Sequence, residues 1–312
     1  MKILKPTPEH LAEAAAALRA GEIVVMPTET VYGLAADATN AKAIKTLYEA
    51  KGRPETSPLI VHIASVDQLD AVGREIPEIV RILADRFWPG PLTLVIPKHP
   101  DLPAEVTGGL DTVAVRMPDH GVALALITMA GVPLAAPSAN RFMQLSPTRV
   151  EHIDPLVAAK ATFALDGGAS SIGVESTVVD LTCDPPRLLR PGGVSRTQLQ
   201  AALGVPLASA PPNGVQRSPG MNARHYAPKA ELRLVDRLDP EQTGLVFGQA
   251  ASRCQIRMPR DARAYAATLY DALHALDGSA PILYVERPPD EPEWETVWDR
   301  LRRASAPPLP LG

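Results

Sequence analysis

Eight side chains carry the chemistry that this sequence offers: Thr30, Lys51, Arg53, His62, Thr112, Arg116, Ser138 and Arg190, most of them beside glycine or proline turns or at the ends of apolar runs. Lys51 and Arg53 flank Gly52 and suit phosphate oxygens, arginine as a planar fork and lysine as a mobile point charge. The alternative is that two basic residues at a helix C-terminus only complement its dipole. His62 lies in an apolar run, where a histidine can equally be a satisfied core residue. Strand periodicity in Thr112-Val113-Ala114-Val115-Arg116-Met117 puts Thr112, Ala114 and Arg116 on one face, so a hydroxyl and a guanidinium point the same way. An edge strand with a solvated face is the competing reading. Dispersed cations and hydroxyls suit a polyanion and a small zwitterion held together. The established phosphate and metal motifs are missing: no Walker loop, no dinucleotide-binding glycine pattern, no zincin helix and no EF-hand loop. Ser138 lies in no nucleophile elbow, which leaves a Ser-His-Asp hydrolase a weak option.

These residues need elements to position them. Glu22-Ile23-Val24-Val25-Met26 reads as a buried strand, and Pro27-Thr28-Glu29-Thr30-Val31-Tyr32-Gly33-Leu34 as a polar loop beyond its carboxyl end, where open α/β sheets usually hold ligands. Residues 41–50 are helical in composition; the helix should end at Lys51-Gly52-Arg53-Pro54, with Gly52 left-handed and both cations in a loop. Residues 59–63 form a second buried strand. Residues 8–20 read as a helix capped by Thr7 and stopped at Gly21, and helices follow at 66–72, 76–87, 121–130 and, more weakly, 150–159. Strands are expected at 92–96, 112–117, 132–136 and 187–190, with 164–168 ending one strand and 175–180 opening another. A third polar loop, Pro137-Ser138-Ala139-Asn140-Arg141, is extended by Ser146.

The composition changes from Pro206 onward. Residues 209–229 hold four prolines, the cations Arg217, Arg224 and Lys229, and no acid, as an extended interdomain linker would. Its second half carries too many functional side chains for a passive spacer. Strands at 231–235, 244–247 and 282–285 with helices at 262–276 and 293–304 make a small second α/β domain. The expected division is 1–207, a linker or lid at 208–229, and 230–312.

At 312 residues, 46% hydrophobic and 21% charged, the chain reads as globular, with ample core for two domains. A net charge of −4 argues against a general nucleic-acid coat protein, although a local basic groove remains compatible with it. Cys183 and Cys254 lie in no paired motif, which excludes a cysteine-built metal site and fits a reducing compartment, the cytoplasm by default. No apolar run approaches the roughly 20 residues that span a bilayer, and Met1-Lys2-Ile3-Leu4-Lys5-Pro6 lacks a signal-peptide core, so neither export nor membrane association is expected.

The sequence closely resembles the threonylcarbamoyl-AMP synthase family in its two-domain form, a YrdC-like domain with a C-terminal extension. The resemblance rests on Pro27-Thr28-Glu29-Thr30-Val31-Tyr32-Gly33-Leu34, Lys51-Gly52-Arg53-Pro54, Pro58-Leu59-Ile60-Val61-His62-Ile63, Pro137-Ser138-Ala139-Asn140, Glu175-Ser176-Thr177-Val178-Val179-Asp180 and Arg190-Pro191-Gly192. It continues in the linker with Ser218-Pro219-Gly220-Met221 and Arg224-His225-Tyr226-Ala227-Pro228. It implies an α/β fold: a twisted, mixed, open sheet with a concave basic surface, plus a smaller α/β, Rossmann-like domain. It also implies synthesis of L-threonylcarbamoyladenylate from ATP, L-threonine and bicarbonate with release of pyrophosphate, the product passing to a transferase that modifies adenosine 37 of tRNA.

Carried over by motif, Thr30, His62, Arg116 and Ser176 would hold threonine, while Arg53, Ser57, Thr112, Ser138, Ser146, Arg190 and Tyr226 would hold ATP. Lys51, between the two sets, and Arg53 would be the catalytic cations. The implied cofactor is Mg²⁺ held by the ATP phosphates, with no protein ligand; direct tRNA binding is not expected. The sequence departs from the family at Ser57, where many relatives carry Asn, and at Phe142-Met143, where they carry Ser-Gly. Two other readings compete. A non-catalytic RNA-binding module would use the same basic surface, but the acidity and the 4% aromatic content disfavour it. A carbamoyl-transferring maturation factor would need further modules for which no part of this sequence is suited.

Overall fold

The computed structural model describes residues 1–210, 217–220 and 223–307. Its first sheet contains β1 (Lys2–Leu4), β2 (Val24–Met26), β3 (Gly33–Asp37), β4 (Ile60–His62), β5 (Leu92–Pro97), β6 (Thr112–Arg116), β7 (Leu134–Ala135), β8 (Phe163–Leu165), β9 (Thr177–Asp180), β10 (Arg187–Arg190) and β11 (Ala208–Ser209). They lie side by side in the order β1-β8-β2-β3-β7-β4-β6-β5-β9-β10-β11. The sheet is mixed: β4 runs parallel to β6 and β5 to β9, while β2–β3, β4–β7, β5–β6 and β9–β10 are antiparallel. The second sheet, β12 (Glu231–Val235), β13 (Gly244–Val246), β14 (Gln255–Arg257) and β15 (Ile282–Glu286), is parallel throughout in the order β12-β15-β13-β14. Parallel strands of one sheet need crossovers, and the helix Ala262–Leu276 supplies the one from β14, past β13, to β15.

Local chemistry sets the helix ends. The Thr7 hydroxyl accepts the His10 N–H at the start of Pro8–Arg19, with proline in the first turn. Asn40 accepts the N–H groups of Lys42 and Ala43 at the start of Ala41–Lys51, and Gly52 closes that helix at φ 60°, as the sequence predicts. Several expectations are corrected. Gly33 and Leu34, read from sequence as the end of the polar loop, open the strand Gly33–Asp37, which pairs antiparallel with β2, so the loop connects a hairpin. The strand's composition, Gly-Leu-Ala-Ala-Asp, carries no β-branched residue to signal it. The weak helix at 150–159 is a single 3₁₀ turn, Val150–His152, and a short helix, Pro155–Ala158. The helix Arg196–Leu203, with a capping box from Ser195 and Gln198, and the strand β14 are elements that the sequence reading does not include. β6 is not an edge strand, since it lies between β4 and β5.

The linker is a folded strap over its described residues. Ala208 and Ser209 pair with β10, and Ala210 packs on Ile60, Val95, Ala114, Val178 and Leu189, one face of the sheet. Ser218 and Tyr226 are each 1% exposed. Met221 and residues 211–216 lie outside the described residues. On the opposite face, the helices Ala41–Lys51, Glu78–Phe87 and Arg196–Leu203 pack Ile44, Leu83 and Leu199 into one large cluster. The core of the second domain takes in Val31, Leu145 and Val174 from the first domain and Tyr226 from the strap. A shared apolar core of this kind couples domains that would otherwise move independently.

At Gly192 the chain crosses the backbone just before β9, where an added Cβ would overlap Glu175 O and Thr177 N. Gly192→Ala should therefore destabilise the protein by about 1–3 kcal/mol, the ordinary cost of overpacking. Thermal unfolding followed by circular dichroism checks this; an unchanged Tm would show that the crossing has slack.

Candidate active site

Strand direction brings the scattered residues together. β4 and β6 are parallel with His62 opposite Arg116, so both side chains sit at carboxyl ends on the same sheet edge. β5 runs back antiparallel to β6 and starts at this edge, and β9, parallel to β5, also begins there, immediately after Glu175 and Ser176. β10 returns antiparallel and delivers Arg190. The β2–β3 hairpin loop adds Thr28, Glu29 and Thr30, and Ser138 bridges to Gly33. A cavity lined by Thr30, Arg53, His62, Arg116, Ser138, Glu175, Ser176, Arg190, Pro219, His225 and Tyr226 results.

Thr28 shapes the hairpin loop: its hydroxyl donates to Val31 O at 2.6 Å and accepts the N–H groups of Thr30 and Val31 at 3.2 Å. That fixes Thr30, whose hydroxyl accepts from Arg116 at 2.8 Å. Arg116 also donates to Gly90 O and pairs with Glu29 at 2.5 Å, both partners buried. Arg190 donates to the Ser176 carbonyl at 3.0 Å and hydroxyl at 3.1 Å, to Pro219 O at 3.2 Å and to the Tyr226 hydroxyl at 3.3 Å. Ser176 is held in turn against Thr93 at 2.7 Å. Arg53 donates to Ser57 Oγ and Pro58 O, each at 2.8 Å, and its Nε has no partner among the described residues. The strap reaches this layer because Gly220, at φ 81°, leaves room for the Tyr226 hydroxyl that a Cβ would displace.

Lys51 corrects the loop placement expected of it. It is the last residue of its helix, 2% exposed, and its ammonium donates to Ser138 O and Asn140 O at 2.5 Å each. Burial, with Arg53 nearby, pushes its pKa well below the usual lysine value. Arg53 is pushed down to about 10, mainly by burial. His62 falls to about 3 through burial and the charge of Arg116, and His225 to about 3 through burial and the charges of Arg53, Lys51 and Arg190 against the opposing pull of Glu175. Both rings are therefore neutral near pH 7. Burial would raise Glu175, but Arg300 and Arg190 outweigh it and hold this carboxyl below its usual range.

Of the residues singled out from sequence, Thr30, Arg53, His62, Arg116, Ser138, Ser176, Arg190 and Tyr226 line one cavity. Lys51 and Ser57 stand directly behind it, each touching a lining residue. Ser146 is fully buried and donates to Glu175 at 2.5 Å. Thr112 is at the far end of β6 and does not line the cavity, although its buried hydroxyl has no partner among the described residues. The departure at Phe142-Met143 has a visible effect: Phe142 packs edge-on to His225 at 6.0 Å and beneath Arg53 at 5.9 Å, and Met143 adopts φ 69°. That is the left-handed region which glycine adopts freely. The sequence reading gave Glu29 and Glu175 no individual role although it quoted their motifs, included His225 only as part of the linker or lid segment, and missed Arg300, which no local pattern marks.

Comparison with known proteins agrees with the fold. The family described as "Telomere recombination" (Sua5, YciO and YrdC) matches residues 16–192, and the threonylcarbamoyl-AMP synthase C-terminal domain matches residues 194–306. The chain is 42% identical to threonylcarbamoyl-AMP synthase of Bacillus subtilis, across 95% of this chain and 93% of that protein. It is 50% identical to threonylcarbamoyl-AMP synthase of Pyrococcus abyssi, across 72% of this chain and 67% of that protein. The crystal structure of P. abyssi Sua5 complexed with L-threonine superposes with a TM-score of 0.90 at 39% identity, covering 97% of this chain and 96% of that one. E. coli YciO shares the fold of the first domain at a TM-score of 0.55 and 19% identity. Among the described residues, no helix is long and apolar enough to cross a membrane.

The depressed histidines make stability depend on pH with a definite sign. With pKa values moved from 6.5 to about 3, His62 and His225 bind fewer protons folded than unfolded between those limits. Stability is then complete above about pH 6.5 and falls as pH drops toward 3, by about 1.4 kcal/mol per pH unit for each histidine. His62→Gln should give a shallower loss of stability than the parent between about pH 6 and 4 in denaturant titrations. Parallel curves would show that His62 titrates normally.

Proposed function

The chain belongs to the threonylcarbamoyl-AMP synthase family, enzymes of the nucleotidyltransferase type, and we propose that it joins ATP, L-threonine and bicarbonate into L-threonylcarbamoyladenylate with release of pyrophosphate. One observation carries this reading. Lys51, Arg53 and Arg190 are buried at 2%, 7% and 2% exposure and form no ion pair among the described residues, whereas Arg116 and Arg300 each hold a carboxylate. Three buried cations satisfied only by carbonyls and hydroxyls favour a ligand with several negative charges. A triphosphate is such a ligand. Threonine goes to the other end, with Thr30, His62, Arg116 and Ser176. Arg116 donates to Thr30 and Gly90, while its remaining terminal nitrogen lies against Glu29 without a hydrogen bond, so its fork keeps N–H groups for a carboxylate. The neutral His62 has an unpartnered Nδ1 that can accept an N–H of the threonine amine.

The chemistry needs no protein nucleophile. The neutral amine attacks carbon dioxide and gives up a proton, or attacks bicarbonate with loss of water, and either route yields the carbamate. A carbamate oxygen then forms a bond to the α-phosphorus as the bond to pyrophosphate breaks in line. Lys51, Arg53 and Arg190 contribute by positioning the phosphates and neutralising charge that develops on the leaving group. Mg²⁺ on the phosphates would add charge neutralisation. The donor set suits a phosphate-held ion, because Glu29 and Glu175 are committed to arginines and no His/Cys/Asp/Glu cluster with metal-binding geometry occurs among the described residues. ATP would sit against Arg53, Ser138, Arg190 and Tyr226, with Ser57 orienting Arg53, Ser146 acting through Glu175, and Thr112 beyond the cavity. The product would pass to the transferase that acts on tRNA.

The strap acts as a lid in this reading. The lining residues Thr30, His62, Arg116, Ser176 and Arg190 are 1–3% exposed, so a nucleotide enters only if something moves. Pro219, His225 and Tyr226 are the part of the lining that a connecting segment contributes. A lid that shuts over the nucleotide excludes water and protects a hydrolysable product.

Pyrophosphate release should require ATP, threonine and bicarbonate, each omitted in turn; equal turnover without threonine would falsify the assignment. Arg53→Ala should lower turnover by on the order of 10² or more with little change in Tm. Lys51→Ala should lose as much and also melt earlier, because its amine ties the helix end to residues 138 and 140. A fully active variant of either would mean that other groups neutralise the phosphates. Tyr226→Ala should weaken ATP binding and lower product yield; parent-like values for both would rule out the lid.

A further inference from the structure

The C-terminal domain sends one side chain into the floor of the site. Arg300, on the helix Glu295–Ala304, is 1% exposed and is the largest of the fully buried side chains. Its Nε donates to Glu175 Oε2 at 2.7 Å and one terminal nitrogen donates to Pro191 O at 3.0 Å, while the other is held by Asp299 at 2.5 Å. Its guanidinium carbon is 4.9 Å from the centre of the Tyr226 ring, within cation–π range. Glu175, so anchored, accepts from Ser146 through its other oxygen and from the Tyr270 hydroxyl at 3.1 Å. Each of these contacts leads to the nucleotide end of the cavity. Tyr226 lies on the guanidinium, Pro191 directly follows Arg190, and Glu175 secures Ser146. The threonine end is held mainly inside the first domain, where Arg116 binds Thr30 and pairs with Glu29, and it meets the nucleotide end at Ser176, which Arg190 holds.

We propose that Arg300 is a positioning residue for ATP, through which the C-terminal domain sets Tyr226, Arg190 and Ser146 without touching substrate itself. This rests on the assignment of those residues to ATP above. Its chemistry is specific to arginine, since lysine keeps the charge but has neither the fork that reaches Glu175 and Pro191 together nor the flat face that Tyr226 covers.

The test measures ATP and threonine binding separately by calorimetry, using a non-hydrolysable ATP analogue, on the full chain and on Arg300→Lys. The expected result is at least tenfold weaker analogue binding, with threonine binding within twofold of the parent and a matching rise in KM for ATP. A second variant, Glu175→Gln with Arg300→Met, removes both charges and so leaves no lone buried ion to unfold the protein; it should show the same split. Combining Arg300→Lys with Tyr226→Ala should weaken analogue binding little beyond Tyr226→Ala alone, because the two act in one chain of contacts. Parent-like analogue binding in both Arg300 variants overturns the proposal, as does equal weakening of threonine and analogue, which marks a merely structural pair. A parent chain that binds neither ligand instead overturns the functional assignment, and the proposal with it.

Discussion

The structure depends on burying arginine and lysine side chains in one place while supplying too few carboxylates to neutralise them. Lys51, Arg53, Arg116, Arg190 and Arg300 are all under 8% exposed, and among the described residues around them only Glu29, Glu175 and Asp299 answer in ion pairs, the last two both on Arg300. An unpaired buried charge is costly, and proteins tolerate it where a ligand is meant to complete it. The fold meets the constraint by ending strands at the same sheet edge, so that carbonyls of residues 58, 138, 140, 176 and 219 serve as partial counter-charges. Carbonyl dipoles stabilise these cations enough to fold around them without cancelling their charge.

The two ion pairs divide the labour. Glu29–Arg116 closes within the first domain and holds one end of the cavity, whereas Glu175–Arg300 crosses between domains and holds the other. Around the second pair lie Tyr226 and Tyr270, which also belong to the apolar core of the C-terminal domain. The strap is consequently held from both sides: Ala227 N–H donates to Met143 O at 3.0 Å, and His225 N–H to Arg303 O at 3.3 Å. In its proposed role as a lid, a strap anchored this way opens only by loosening contacts to the second domain, which would give that domain a part in the site.

Much of this was legible in the sequence, for identifiable reasons. Gly52 and Pro54 mark a helix end because so few other residues fit there, and strand period two put Thr112, Ala114 and Arg116 on one face. The motifs that named the family also supplied most of the cavity lining. What stayed hidden depends on partners distant in the chain. Lys51 reads as exposed from its neighbours and is buried only because residues 138–140 fold over it. Arg300 sits among charged residues on a helix whose local pattern looks solvated, and its partner Glu175 is 125 positions away. The strand Gly33–Asp37 lacked the residues that announce strands and is imposed by pairing with β2 and β7.

Calorimetric titration of the intact chain with inorganic pyrophosphate tests most directly whether the uncompensated cations form a polyanion site. One equivalent should bind, more weakly as salt is raised, and Arg190→Gln should abolish the signal while threonine binding survives. Pyrophosphate that fails to bind the parent chain, or binds Arg190→Gln equally well, would contradict it.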